Sequence, residues 1–133
     1  MGKIRSEFLA IDEQSAINGK CKAYLTDKTT GKCYAIPNGY WTIGRKDEEE
    51  EVDVDIPIET ADEYMSRHQA RITLIQNIIG EYTLYICDTM QRPNPSRVDD
   101  YRIDTQYDYQ VYNGSIIRLG YTEFEVHLKS ASN

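Results

Sequence analysis

From residue 22 onward, hydrophobic and polar positions alternate in short runs of a kind that helices do not produce. Residues 22–27 and 32–36 flank Lys28-Thr29-Thr30-Gly31, a spacing that predicts a hairpin with Gly31 in its turn. Tyr40-Trp41-Thr42-Ile43 is a β-prone run ending at Gly44. Across residues 52–59, Val52, Val54, Ile56 and Ile58 alternate with Asp53, Asp55, Pro57 and Glu59, giving one buried and one wet face. Residues 70–75 and 82–87 form a second hairpin pattern across 76–80. Asn113-Gly114 signals a tight turn before residues 115–119. In the last run Phe124, Val126 and Leu128 alternate with Glu123, Glu125 and His127.

Short strands at this spacing, without intervening helices, predict an all-β chain folded as a β-sandwich. Two stretches break the pattern. Residues 1–20 lack alternation and read as an N-terminal extension, with one short helix over 6–17 capped by Ser6 and stopped at Asn18-Gly19. Residues 90–100 carry two prolines and little apolar content, and read as a long surface loop. The domain is expected over 21–129, followed by a tail at 130–133.

Composition changes this picture little. The 133 residues are 40% hydrophobic and 28% charged, within the range of one globular domain. No apolar run reaches the roughly 20 residues that span a bilayer, and the stretch at 8–11 is too short for a secretion signal. The expectation is a cytoplasmic protein with no membrane partner. A net charge of −7 disfavours nucleic acid, whose phosphates require a basic face, yet leaves room for a local pocket that holds one phosphate. Cys21, Cys33 and Cys87 are odd in number and form no CxxC pair, so they read as buried free thiols and not as a disulfide framework or zinc site.

The candidate chemistry sits between strands, at Ile43-Gly44-Arg45, at Ser66-Arg67-His68-Gln69-Ala70, and from Asp88 to Ser96. Alternate strand ends of a sandwich share one edge, so distant loops converge there. A phosphate site needs a guanidinium for bidentate pairing, together with hydroxyl, amide or backbone donors. Arg45, Ser66 and Asn94 supply those types.

In order and spacing these pieces resemble the forkhead-associated (FHA) domain, over about residues 22–128. The resemblance runs through Ile43-Gly44-Arg45, then Met65-Ser66-Arg67 leading into Ala70-Arg71-Ile72. Asp88 with Asn94-Pro95-Ser96 comes next, and then Asn113-Gly114-Ser115-Ile116-Ile117-Arg118-Leu119-Gly120 before a closing strand. It implies a two-sheet sandwich of about eleven strands that reads phosphothreonine in a protein or peptide partner, without catalysis, cofactor or metal, in a signalling role. Carried across, Arg45 would contact the phosphate, Ser66 would donate its hydroxyl, and Asn94 would bond peptide backbone. Arg67 and Ser96 would support the site or touch the phosphate, while Gly44, His68 and Gln69 would support the loops.

Three departures stand out. The family's His, three residues after the Ser, is replaced by Gln69, which also donates and accepts; the alternative is a slipped loop with His68 turned inward. The family's Asn-Gly becomes Asn94-Pro95, and its second Asn-Gly becomes Asp99-Asp100. Gln91, Arg92 and Pro93 stand where a hydroxyl residue usually precedes the Asn, so Arg92 is either a solvated loop residue or a substitute phosphate donor.

Asp47-Glu48-Glu49-Glu50-Glu51 directly follows Lys46 and reads as a solvated acidic loop or as a filter for basic peptides; it lacks the spacing of a calcium loop. Enzyme signatures are missing from the sequence: no GxSxG, HExxH or GxxxxGK[ST] occurs. A Ser66–His68 pair has no third, orienting group. The rival to phosphopeptide binding is a phosphorylation-independent scaffold or oligomerisation module with a degenerate site.

Overall fold

The structure, a computed structural model, describes residues 10–11, 22–46 and 54–129. Among them are twelve strands in two sheets and no helix. They are β1 (Ala10–Ile11), β2 (Ala23–Asp27), β3 (Cys33–Ala35), β4 (Gly39–Arg45), β5 (Ile56–Ile58) and β6 (Ala70–Gln76). The rest are β7 (Tyr82–Asp88), β8 (Arg97–Val98), β9 (Tyr101–Arg102), β10 (Tyr109–Val111), β11 (Ile116–Leu119) and β12 (Thr122–Leu128). One sheet runs β1-β3-β2-β12-β11-β8-β9, and the other β10-β7-β6-β4-β5. The inward residues of both, including Leu25, Ile43, Ile72, Ile86, Ile117 and Phe124, form one core from which solvent is excluded. No helix of the described residues is long and apolar enough to cross a membrane.

Local chemistry accounts for the turns. Asp27 Oδ1 accepts the backbone N–H groups of Thr29 and Thr30, while Gly31 takes a φ of 78° that closes the β2–β3 hairpin. The β6–β7 ladder runs from Ala70 opposite Asp88 to Gln76 opposite Tyr82, as the alternation implies. Strand β5 lies parallel to β4, Ile43 beside Ile56, with Asp55 accepting the N–H of Thr42 at 3.0 Å. Cys33 and Cys87 are buried free thiols.

The structure corrects two expectations. Ala10 and Ile11 pair as a strand with Tyr34 and Cys33, so a helix over 6–17 does not hold at those positions; the remainder of that stretch lies outside the described residues. Residues 90–100 are not all surface loop, because Val98 enters the core and β8 turns back into β9. Asp99 and Asp100 both adopt positive φ, 49° and 71°, as a two-residue hairpin turn requires, and Asp99 Oδ1 accepts Ile116 N–H at 2.8 Å. Two-residue strands show no alternation, which is why this hairpin escapes a periodicity reading.

Candidate functional site

The end of β4 meets the segment that precedes β6. Arg45 N–H donates to the Ser66 carbonyl at 2.9 Å, and Arg45 Nε donates to the Met65 carbonyl at 3.0 Å. Gly44 permits this approach: a Cβ there would lie 2.1 Å from the Arg67 carbonyl oxygen. Arg45 and Ser66 are both half-buried, and no further partner of the Arg45 guanidinium occurs among the described residues.

Gln69 is fully buried and fastens this segment to the loop after β7. Its Oε1 accepts Ser66 N–H at 2.8 Å, and its Nε2 donates to the Ser96 hydroxyl at 2.9 Å. Ser96 N–H in turn donates to the Asp88 carboxylate at 3.1 Å. Of the two roles open to Ser96, burial at 0% exposure leaves the supporting one, and contact with a phosphate is set aside. Burial pushes the Asp88 carboxyl above its ordinary range; hydrogen bonds from Ser96 and the nearby Arg92 pull it down, and Asp104 pushes it up.

His68 is exposed, so the inward-turned alternative does not hold. Its support of the loop comes through its carbonyl, which accepts from the Thr89 hydroxyl and from Arg92 Nη2. Arg92 corrects both readings given to it. Its side chain is 12% exposed, and Nη1 donates to the Gln69 carbonyl at 2.8 Å, so it braces the loops from inside. Arg67 is exposed in the same segment. Asn94 is half-buried, and its Nδ2 is shielded without a hydrogen-bond partner among the described residues.

Asp62 is a residue the sequence reading misses. Its carboxylate accepts the N–H groups of Tyr64 and Tyr121 and the Thr122 hydroxyl, tying the Ser66 segment to the β11–β12 turn. Burial raises its pKa, but the bonds from Thr122, Tyr121, Tyr64 and Met65 together hold it below the ordinary carboxylate value. Gly120, at a φ of 63°, lets the turn come close, since a Cβ there would lie 2.4 Å from Met65 N. The signal in the sequence is Asp62 two residues before Tyr64, an Asx-turn spacing. Its partners 59 and 60 residues away carry no such signal.

Among the described residues no cluster of His, Cys, Asp and Glu could hold a metal ion. The acidic run at 47–51 lies outside the described residues. The site therefore offers one guanidinium, a hydroxyl, a side-chain amide and a second exposed Arg on braced loops, a set of donors suited to an anion.

Comparison with solved structures gives the same sandwich. One FHA domain, from a structural and functional analysis of phosphothreonine-dependent FHA domain interactions, is 22% identical with a TM-score of 0.61, covering 80% of this chain and 95% of that one. The yeast Dun1 FHA domain, solved with a doubly phosphorylated peptide derived from Rad53, is 21% identical with a TM-score of 0.60, covering 80% and 74%. The yeast splicing factor Pml1 of the RES complex is 17% identical with a TM-score of 0.62, covering 89% and 91%. At these identities the likeness concerns fold. No curated protein sequence matches significantly. The FHA-domain family model, however, matches residues 41–120, more than half of the chain, including the segments that carry Arg45, Ser66, Gln69 and Asn94. FHA domains are non-catalytic phosphopeptide-recognition modules. By that match, and by a sandwich whose end loops meet at Arg45 and Ser66, the chain belongs to the FHA-domain family.

Proposed function

We propose that this FHA domain binds phosphothreonine in a protein partner through Arg45, Ser66, Arg67 and Asn94, with Gly44, His68, Gln69 and Ser96 supporting the loops. The observation that carries the reading is the Arg45–Ser66 contact, where a half-buried guanidinium is fixed through Nε beside a serine. A guanidinium held this way loses little freedom on pairing with phosphate. Asn94, half-buried in the loop after β7, is the residue assigned to peptide backbone. The Dun1 FHA domain with its phosphorylated peptide supports the reading by analogy. A signalling role and a cytoplasmic location, where thiols such as Cys33 and Cys87 stay reduced, belong to the same proposal.

The test is calorimetry with matched phosphorylated and unphosphorylated peptides. A charge-assisted hydrogen bond contributes about 1.5–3 kcal/mol, so Arg45→Ala should weaken phosphopeptide binding roughly 10- to 150-fold. Ser66→Ala should weaken it less. Equal affinity of parent and Arg45→Ala would overturn the site assignment. The second reading, a phosphorylation-independent scaffold, is favoured by Asn94-Pro95 standing where the family has Asn-Gly. Equal affinity for the phosphorylated and unphosphorylated peptides would select it.

A further inference from the structure

The seven-stranded sheet carries three arginines in one row. Arg118 of β11 lies directly opposite Arg97 of β8, and Arg97 lies directly opposite Arg102 of β9. Their strand neighbours Ile117 and Val98 enter the core, so the pleat turns Arg118 and Arg97 outward, and Arg102 shares the face of its partner. Arg102 is exposed and the other two are half-buried. Like charges directly opposite one another destabilise a sheet, and an anion laid across them reverses the sign. Among the described residues no carboxylate comes within ion-pair distance of any of the three. Arg97 Nη1 donates to the Asp100 carbonyl at 2.9 Å. Arg118 Nε donates to the Gly120 carbonyl at 3.1 Å, with its guanidinium 4.9 Å from the centre of the Tyr121 ring. Those contacts orient two of the side chains and cancel no charge. Glu123, opposite Arg118, pairs instead with Lys28 at 3.6 Å.

The complementary charge is in the same sequence. Asp47-Glu48-Glu49-Glu50-Glu51 supplies five consecutive carboxylates. At the root of this run Lys46 pairs with Glu59, which also pairs with Lys32, just before β3. From β3 to β8 there are four strand spacings, about 19 Å. Tethered at Lys46 and Val54, the backbone of the run extends at most about 14 Å from its root, short of Arg97 and shorter still of Arg102. Run and row therefore meet fully only between molecules. Both lie toward the same end of the sandwich. The run follows Arg45, whose Nε meets the Met65 carbonyl, and the row precedes Gly120, which comes up against Met65 N. We propose that the chain self-associates, the acidic run of one copy lying across Arg118, Arg97 and Arg102 of a second. A two-fold axis along the strands, with the seven-stranded sheets face to face, puts each run beside the other copy's row and makes the contact twice. The net charge of −7 on each copy is screened beyond about 8 Å, and run and row meet inside that distance. The same net charge opposes an extended anionic surface such as a nucleic-acid duplex. This association is independent of the phosphopeptide reading.

The test is sedimentation equilibrium of the full chain at concentrations on the order of 0.1–1 mM, the range of weak contacts. At about 0.15 M salt the average mass should rise toward that of a dimer. At about 1 M salt, where the screening length falls to about 3 Å, it should return to that of the monomer. Arg97→Glu combined with Arg102→Glu should abolish the rise. So should Glu48→Lys, Glu49→Lys, Glu50→Lys and Glu51→Lys combined. Mixing these two variants should restore association, because each then offers the other the opposite charge at both contacts. Circular dichroism checks that the row variant is folded. Where it is not, Arg97→Gln with Arg102→Gln takes its place and should weaken dimerisation about tenfold. A chain that stays monomeric, or association that survives either reversal or is not restored by mixing, overturns the proposal. Binding of added oligoglutamate to a chain that stays monomeric also overturns it, and gives the row to an acidic segment of another protein.

Discussion

Gln69 donates its side-chain amide to the hydroxyl of Ser96 at 2.9 Å across 27 residues of chain, with both side chains fully buried. The other end of the same amide holds Ser66 N–H, so one residue sets the spacing between two of the loops that form the candidate site. A glutamine does here what the resemblance assigns to a histidine, because both present one donor and one acceptor.

Removing that amide should be costly. Gln69→Ala removes the acceptor of Ser66 N–H and the donor to the Ser96 hydroxyl, and a shielded polar group left unpaired costs about 1–3 kcal/mol. The urea midpoint should fall clearly, and phosphopeptide affinity with it. Gln69→His, which retains a donor and an acceptor, should recover much of both. An unchanged midpoint for Gln69→Ala would refute the bracing role.

Asp62 should make folding sensitive to acid. Its folded pKa lies below the unfolded value, so the native state binds fewer protons. Its contribution is complete above about pH 4, the unfolded carboxyl value, and is lost as pH falls through the folded value. Urea unfolding between pH 6 and pH 2 should therefore show a steeper acid loss in the parent than in Asp62→Asn. Parallel curves would remove Asp62 from this account.

Asp88 works in the opposite direction. Its folded pKa is raised, chiefly by burial, so the native state keeps the proton longer than the unfolded chain does. Its contribution is complete below about pH 4 and diminishes as pH rises through the folded value. The stability of Asp88→Asn relative to the parent should then increase with pH just above 4. A constant difference between the two proteins across that window would contradict the assignment.

The acidic run should bias partner choice. Its carboxylates begin two residues after Arg45 in sequence, and a charge acts on a bound peptide within about one Debye length, roughly 8 Å. Each wet pair adds only about 0.2–1 kcal/mol. Replacing Glu48, Glu49, Glu50 and Glu51 with Gln should erase the advantage of phosphopeptides with basic flanks, and added salt should erode that advantage in the parent. Affinity ratios that ignore both changes would make the run a solvated loop only.

The sequence by itself determined the strands with a wet and a dry face. Alternation around Leu25, Ile72, Ile86 and Phe124 follows from a residue's own position on a pleat, so a short window of sequence reveals it. It also determined the hairpin turn at Gly31 and the positions of Arg45 and Ser66, through residue type and order. Tertiary structure alone decided that Ser96 is interior, that Arg92 is a brace, that Val98 belongs to the core, and that β5 runs parallel to β4. Loops have no period, and the direction of a side chain within one depends on which distant backbone groups arrive beside it. Asp62 meets Thr122 and Gln69 meets Ser96 only after the sheet registers are fixed, because those registers bring residues 60 and 27 positions apart to hydrogen-bonding distance.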